Sequence, residues 1–298
     1  MISKWIEAFR LRTLPLALAS IVMGGFLALE NHRFNAFIFI LACVTTLFLQ
    51  ILSNLANDYG DSVNGVDNSN RVGPLRSVQS GSISRFSMKV AVIAFIALSL
   101  ISGIGLIALA FGNAFNITTF IFFMIGCGAI AAAIKYTVGR NPYGYIGFGD
   151  FFVFLFFGLV GVCGSYFLMV QEFDIFIIFP AAAVGLLSSA VLNLNNLRDH
   201  VNDKASGKIT LVVKFGFKNG KIYHWFLLFI PFLLLIAYTT IHFSTVWNFI
   251  FLAALPLQIG NFVRVWRNVK PQLLDIELKR MALLTILVVL LFGIGINI

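Results

Sequence analysis

Acid is scarce in this chain. Asp and Glu number 12 in 298 residues against 21 Lys and Arg, and charged residues of both signs make up 11%. With 59% hydrophobic residues and a mean hydropathy of +0.94, the apolar surface exceeds what one soluble core of this length can hide. Thiols are scarcer still. Cys43, Cys127 and Cys163 stand singly inside apolar segments without a CxxC pair, which excludes a disulfide framework and a zinc site and leaves them as packing residues. A polar linker is missing too: the longest polar interruptions run over about 57–87 and 198–221, so a single membrane domain over 1–298 is expected. Nor is there a cleavable-signal pattern, because Lys4, Glu7, Arg10 and Arg12 precede a full-length apolar segment containing Pro15.

What is present is a series of apolar segments long enough to cross a bilayer, which takes about 20 residues each. They run over about 14–30, 35–56, 88–110, 115–137, 151–171, 175–197, 222–242, 246–266 and 281–297, which predicts an all-α integral membrane protein of nine spans. Ahead of them Ile2, Trp5, Ile6 and Phe9 share one helical face, as in a short helix lying in the interface. The net charge of +9 raises the question of nucleic acid, and position decides against it. With the N-terminus cytoplasmic, every Lys and Arg except Arg33 falls at a cytoplasmic end or loop. That bias is the positive-inside rule, with an odd number of spans and the C-terminus outside.

Five of the acids gather in two clusters, each closing an apolar segment on the cytoplasmic side. One is Asn57-Asp58-Tyr59-Gly60-Asp61 with Asp67, and the other is Asn195-Asn196-Leu197-Arg198-Asp199 with Asp203. On helices, Asn54, Asp58 and Asp61 fall at i, i+4, i+7, and Asn196, Asp199 and Asp203 at i, i+3, i+7, so each set forms a stripe. The clusters lie 141 positions apart, Asp58 to Asp199, and suggest two related halves, about 1–137 and 138–266, plus a ninth helix. Carboxylates at membrane depth are costly unless compensated. Oxygen ligands without His or Cys select a hard cation, and Mg²⁺ takes one or two carboxylates while sharing its shell with phosphates. The simpler alternative for any one Asp is a loop charge or helix cap, and for the set an ion or metabolite pathway.

Asn57-Asp58-x-x-Asp61 with Asp67, followed by Asp199-x-x-x-Asp203, resembles the paired motifs of the UbiA superfamily of membrane prenyltransferases. The third acid of the first motif departs from the usual pattern: Gly65 stands where many members carry it, and Asp67 follows. That variant, with Arg12-Thr13-Leu14-Pro15, Arg71-Val72-Gly73-Pro74-Leu75-Arg76, Pro142-Tyr143-Gly144-Tyr145, Gly149-Asp150-Phe151 and Gly207-Lys208, is similar to the branch acting on 1,4-dihydroxy-2-naphthoate. The resemblance implies nine helices around a central cavity open to the cytoplasm, in a bacterial cytoplasmic membrane. It implies a polyprenyl diphosphate donor and loss of CO₂ and diphosphate in forming demethylmenaquinol, a menaquinone precursor. Another aromatic acceptor, 4-hydroxybenzoate or homogentisate, is the nearest alternative.

Residue roles follow as expectations. Asp58, Asp61, Asp199 and Asp203 hold Mg²⁺, two ions bridging the diphosphate. Asn57, Asp67, Arg71, Arg76, Asn196, Arg198, Lys204 and Lys208 contact the donor, Arg by a bidentate fork and Lys as a point charge. Asp150 is the candidate base for the acceptor hydroxyl, and Lys135 or Arg140 contacts its carboxylate. Tyr143, with Tyr59, Tyr136 and Tyr145, offers aromatic faces to the allylic cation.

Overall fold

The computed structural model describes residues 2–67, 72–112 and 115–298. Short α1 (Ile2–Phe9) leads into α2 (Leu14–Glu30), α3 (Ala36–Val63), α4 (Arg85–Phe111) and α5 (Ile117–Lys135). Then come α6 (Gly149–Val170), α7 (Ile178–Ala205), the one-turn α8 (Leu211–Phe215), α9 (Phe217–Ile241), α10 (Val246–Arg267) and α11 (Leu274–Ile296). Among the described residues eight helices have the length and apolarity of a span, and α1 with α2 as a bent pair makes nine. At 17 residues α2 is short for a crossing by itself. Polar caps set the starts: the Asn35 side chain accepts from Phe37 N–H and Ile38 N–H, and Asn116 and Thr119 form a reciprocal capping box.

Burial is uneven, and that separates core from lipid. The span of α7 hides 56% of its residues and that of α5 only 11%, so α7 is the central post and α5 faces the bilayer. α6 reaches α7 through glycine: a Cβ on Gly158 would lie 2.8 Å from the Gly185 Cα and 2.7 Å from the Ala181 carbonyl. The middle of α6, Phe154–Cys163, winds in π-helical turns. Pro231 sits inside α9, and Gln258 of α10 donates to the Leu228 carbonyl beside it (3.1 Å). α1 packs on the protein, Phe9 against Phe95 with ring centroids 5.4 Å apart.

Three boundaries differ from the sequence expectation by seven or eight residues: the ninth span, expected from about 281, begins as α11 at Leu274, and two others run on at their ends. The second and sixth spans, expected to end near 56 and 197, continue as helix to Val63 and Ala205. Their polar ends stay helical because cations and backbone N–H groups from neighbouring segments answer the acids, so the chain need not unwind to reach water.

Candidate active site

A cavity of about 910 Å³ occupies the interior. Its wall on α3 runs from Asp61 to Ala42, which at 1.5 Å per residue is about 28 Å, nearly the hydrocarbon thickness. One end is polar and carries Asn57, Asp61, Arg76, Asn195 and Lys208. Farther in, Leu106, Ile107, Phe122 and Phe156 line it.

The first acidic cluster splits in function along its helix. Asp61 faces the cavity, where Arg76 Nη2 donates to Oδ2 at 2.9 Å and the Tyr145 hydroxyl to Oδ1 at 2.6 Å. Arg76 Nε also lies 3.4 Å from Asp67 Oδ1. Asp58 does not line the cavity. It turns one step around α3 and accepts from Ser77 N–H (3.1 Å) and Val78 N–H (3.3 Å), anchoring the loop that delivers Arg76. The expected stripe Asn54, Asp58, Asp61 is therefore Asn54, Asn57, Asp61 as the cavity sees it.

On α7 the cavity wall takes Ile178, Ser188, Val191, Leu192 and Asn195, while Asn196, Asp199 and Asp203, like Asp58, are not part of it. Arg198 is buried and forks Asp199 through Nε (2.9 Å) and Nη2 (2.7 Å). Its remaining donors reach Asp275 Oδ1 and Asn195 Oδ1, both at 2.6 Å. With those donors engaged, Arg198 orients Asp199 and Asn195. Beyond α7, Gly207 takes φ 76 and turns the chain, Lys208 N–H bonds the Asp203 carbonyl (2.8 Å), and Lys208 Nζ comes 3.7 Å from Asp203 Oδ1.

The two clusters meet. Asn202 Nδ2 donates to the Val66 carbonyl (3.1 Å), and a Cβ on Gly73 would lie 2.8 Å from Arg198 Nη2, so the loop backbone rests on the guanidinium. Tyr145 is the bridge: its hydroxyl holds Asp61 of α3, its ring lies 5.6 Å from Lys208 Nζ, and its carbonyl accepts from Ile209 N–H (2.9 Å). Burial disfavours the Lys208 charge, but Asp203 and Asp61 outweigh that and raise its pKa, so the ammonium persists through the physiological range. Burial pushes the Tyr136 phenol up to about 12 and raises the Tyr143 phenol as well, so both stay neutral. Tyr143 bonds the Ala132 carbonyl (2.8 Å) and stacks on Phe152 at 4.1 Å.

Other expected residues stand apart. Lys135, Arg140 and Lys204 are exposed and absent from the cavity wall, Asp150 borders a different pocket, and Arg71 lies outside the described residues. The missed residues include Asn195 and Arg10, which lines the cavity from a left-handed turn (φ 51) between α1 and α2. Beside it Asn54 Nδ2 donates to Phe9 O (3.0 Å) and Thr13 Oγ1 (3.1 Å), and Gln50 Nε2 to Thr13 Oγ1 (3.3 Å). Arg10 reads as a positive-inside charge until the fold folds α1 back on α3.

Residues 17–286 match the UbiA prenyltransferase family. The chain belongs to that family. It is 43% identical over 293 residues to a 1,4-dihydroxy-2-naphthoate octaprenyltransferase of Haemophilus influenzae, covering 98% of this chain and 94% of that one. It is similar to the Escherichia coli protein of the same name at the same identity and coverage. A UbiA homolog from Archaeoglobus fulgidus, solved with GPP and Mg²⁺, shares the fold with a TM-score of 0.68 at 17% identity over 99% of each chain. Membership makes the protein an integral, multi-pass membrane prenyltransferase.

Proposed function

We propose that the protein transfers a polyprenyl group from its diphosphate to 1,4-dihydroxy-2-naphthoate, releasing CO₂ and diphosphate and forming demethylmenaquinol. The observation that carries this reading is the Asp61–Tyr145–Lys208–Asp203 bridge at the polar head of a cavity whose depth is apolar. The diphosphate belongs at the head and its chain along the apolar wall. The 43% identity to naphthoate enzymes, over nearly the whole chain, selects the acceptor.

The donor set fits Mg²⁺. It is oxygen only, and among the described residues no three His, Cys, Asp or Glu cluster, so protein carboxylates alone do not make a cage. That suits an ion that shares its shell with water and phosphate. Asp61 with Asn57 would hold one ion from the cavity wall, and Asp203, which Lys208 links to that wall, would hold the other with Asp199. When bound, Mg²⁺ neutralises the diphosphate and favours its departure.

The residues present do the rest. Arg76 and Lys208 pair with the diphosphate oxygens that gain charge as the allylic C–O bond breaks and its electrons leave with oxygen. The Tyr136, Tyr143 and Phe152 rings face the carbocation without a nucleophile that would trap it. The ring carbon bearing the carboxylate attacks, a C–C bond forms, and the C–CO₂ bond then breaks and returns its electron pair to the ring. No proton is lost from that carbon. A dedicated base is therefore unnecessary, in keeping with the place of Asp150 outside the cavity. Asn54, Gln50 and Thr13 supply polar groups for the acceptor hydroxyls, and Arg10 a cation for its carboxylate.

The test is a purified-enzyme assay with several ring acceptors and donor lengths, read by mass spectrometry. A decarboxylated, prenylated naphthoquinol is expected, with one CO₂ per transfer. Product from 4-hydroxybenzoate or homogentisate alone would overturn the acceptor.

A further inference from the structure

A second pocket, of about 480 Å³, lies on the other side of α6 and shares no lining residue with the cavity. α6 divides them by helical face: Phe152, Val153 and Phe156 line the cavity, while Asp150, Phe151 and Phe154 line the pocket. Leu186 of α7, Tyr223 of α9 and the preceding Phe148 complete the part that matters here. Phe148 and Phe151 are more than half exposed, 53% and 56%, so the mouth opens sideways at the start of a span rather than into the cavity.

The pocket is apolar except at one place. Asp150 is 6% exposed, and its Oδ1 has no hydrogen-bond partner. Tyr223 shares the pocket wall with the carboxyl group, and Ser189 is occupied with the Asp150 carbonyl (3.3 Å). A buried acceptor left open is costly unless a donor fills it. The pocket lining holds no cation to pair with either anionic substrate, the diphosphate or the naphthoate. Three phenylalanines and two leucines suit a flat apolar ring. The occupant that meets all three conditions is a neutral aromatic ring with hydroxyl donors that travels in the membrane.

We propose that this pocket binds a naphthoquinol, the ring of the reaction's own product, with a ring hydroxyl donating to Asp150, and that its occupancy slows turnover. The identity of the ring rests on the proposed function. The link to turnover is covalent and short. Gly147, Phe148 and Asp150 border the pocket, and Tyr143 and Tyr145 a few residues earlier hold the cavity wall and Asp61. A ring wedged between α6 and α9 braces the segment that carries Tyr145 and its hydrogen bond to Asp61. The product then acts from outside the active site, as a brake set by its concentration in the bilayer.

The experiment uses the full enzyme in liposomes under anaerobic conditions, with 2-methyl-1,4-naphthohydroquinone as probe. Initial rates are measured against acceptor concentration at several probe concentrations, for the wild type and for Leu186→Trp, which fills the pocket. Expected is inhibition that lowers the maximal rate without raising the acceptor KM. Leu186→Trp should keep the probe-free rate and need about tenfold more probe, a shift of about 1.4 kcal/mol in binding. Asp150→Leu and Tyr223→Phe should weaken inhibition in the same direction, so a folding defect in one leaves the others to decide. Competition with the acceptor that persists in Leu186→Trp would place the probe in the cavity and overturn the proposal, as would absence of inhibition. Either result alongside normal demethylmenaquinol synthesis leaves the proposed reaction standing. Failure to make that product at all sinks the reaction instead.

Discussion

Asp61 carries more of the site than any other acid, since a cation and a phenol both address it at 2.9 and 2.6 Å. Asp61→Asn keeps the shape and removes the charge that orders Arg76 and Tyr145. Turnover should fall by about 100-fold or more, as when one preorganised electrostatic group is removed. Tyr145→Phe deletes one hydrogen bond to a charged group, about 1.5–3 kcal/mol, and should show mainly as slower transfer in single-turnover rates. Lys204→Ala and Arg140→Ala change exposed side chains away from the cavity and should leave initial rates within about twofold. Loss of activity in either would return those residues to the site. Asp61 and Lys208 are legible from the motifs, but which oxygen meets which donor is not, because loops distant in sequence provide the donors.

Among the elements, α7 depends on buried charge and on glycine. Arg198 ties Asp199 on its own helix to Asp275 on α11, so Arg198→Met leaves two acids without their cation. Destabilisation of about 3–5 kcal/mol is expected, read as a fall in the thermal midpoint in detergent. At Gly158 a methyl group would meet backbone atoms at 2.7–2.8 Å that no rotamer can move, so Gly158→Ala should cost about 1–3 kcal/mol by the same measurement. An unchanged midpoint would show that α6 and α7 slide apart freely. The existence of these helices follows from apolar length alone. Their polar ends do not, because a polar run reads as loop until its partners are known, and Asn57–Val63 stays helical through contacts to Arg76, Ser77 and Thr137.

For the whole molecule, the Lys and Arg asymmetry sets orientation. We expect the N-terminus inside and the C-terminus outside. In a cysteine-free background, Lys204→Cys should label only after the membrane is permeabilised, and Ser244→Cys should label in intact cells; the reverse pattern would invert the topology. Chelation should abolish product formation, and Mg²⁺ should restore it, if the oxygen-only donor set serves as proposed. The sideways pocket beside α6 belongs to this scale as well, since it exists only where α6, α7 and α9 meet.

Composition and periodicity determined the class of this protein, because transfer of apolar side chains out of water acts residue by residue and needs no partner. The spacing of acids, amides and cations then marked which helix ends hold the chemistry. What only the tertiary structure decided is direction. A helix places neighbours about 100° apart, so whether Asp58 or Asp61 faces the cavity depends on what packs behind α3. The same rotation on α6 places Asp150, the candidate base, on the wall of a separate pocket with Ser189 and Tyr223.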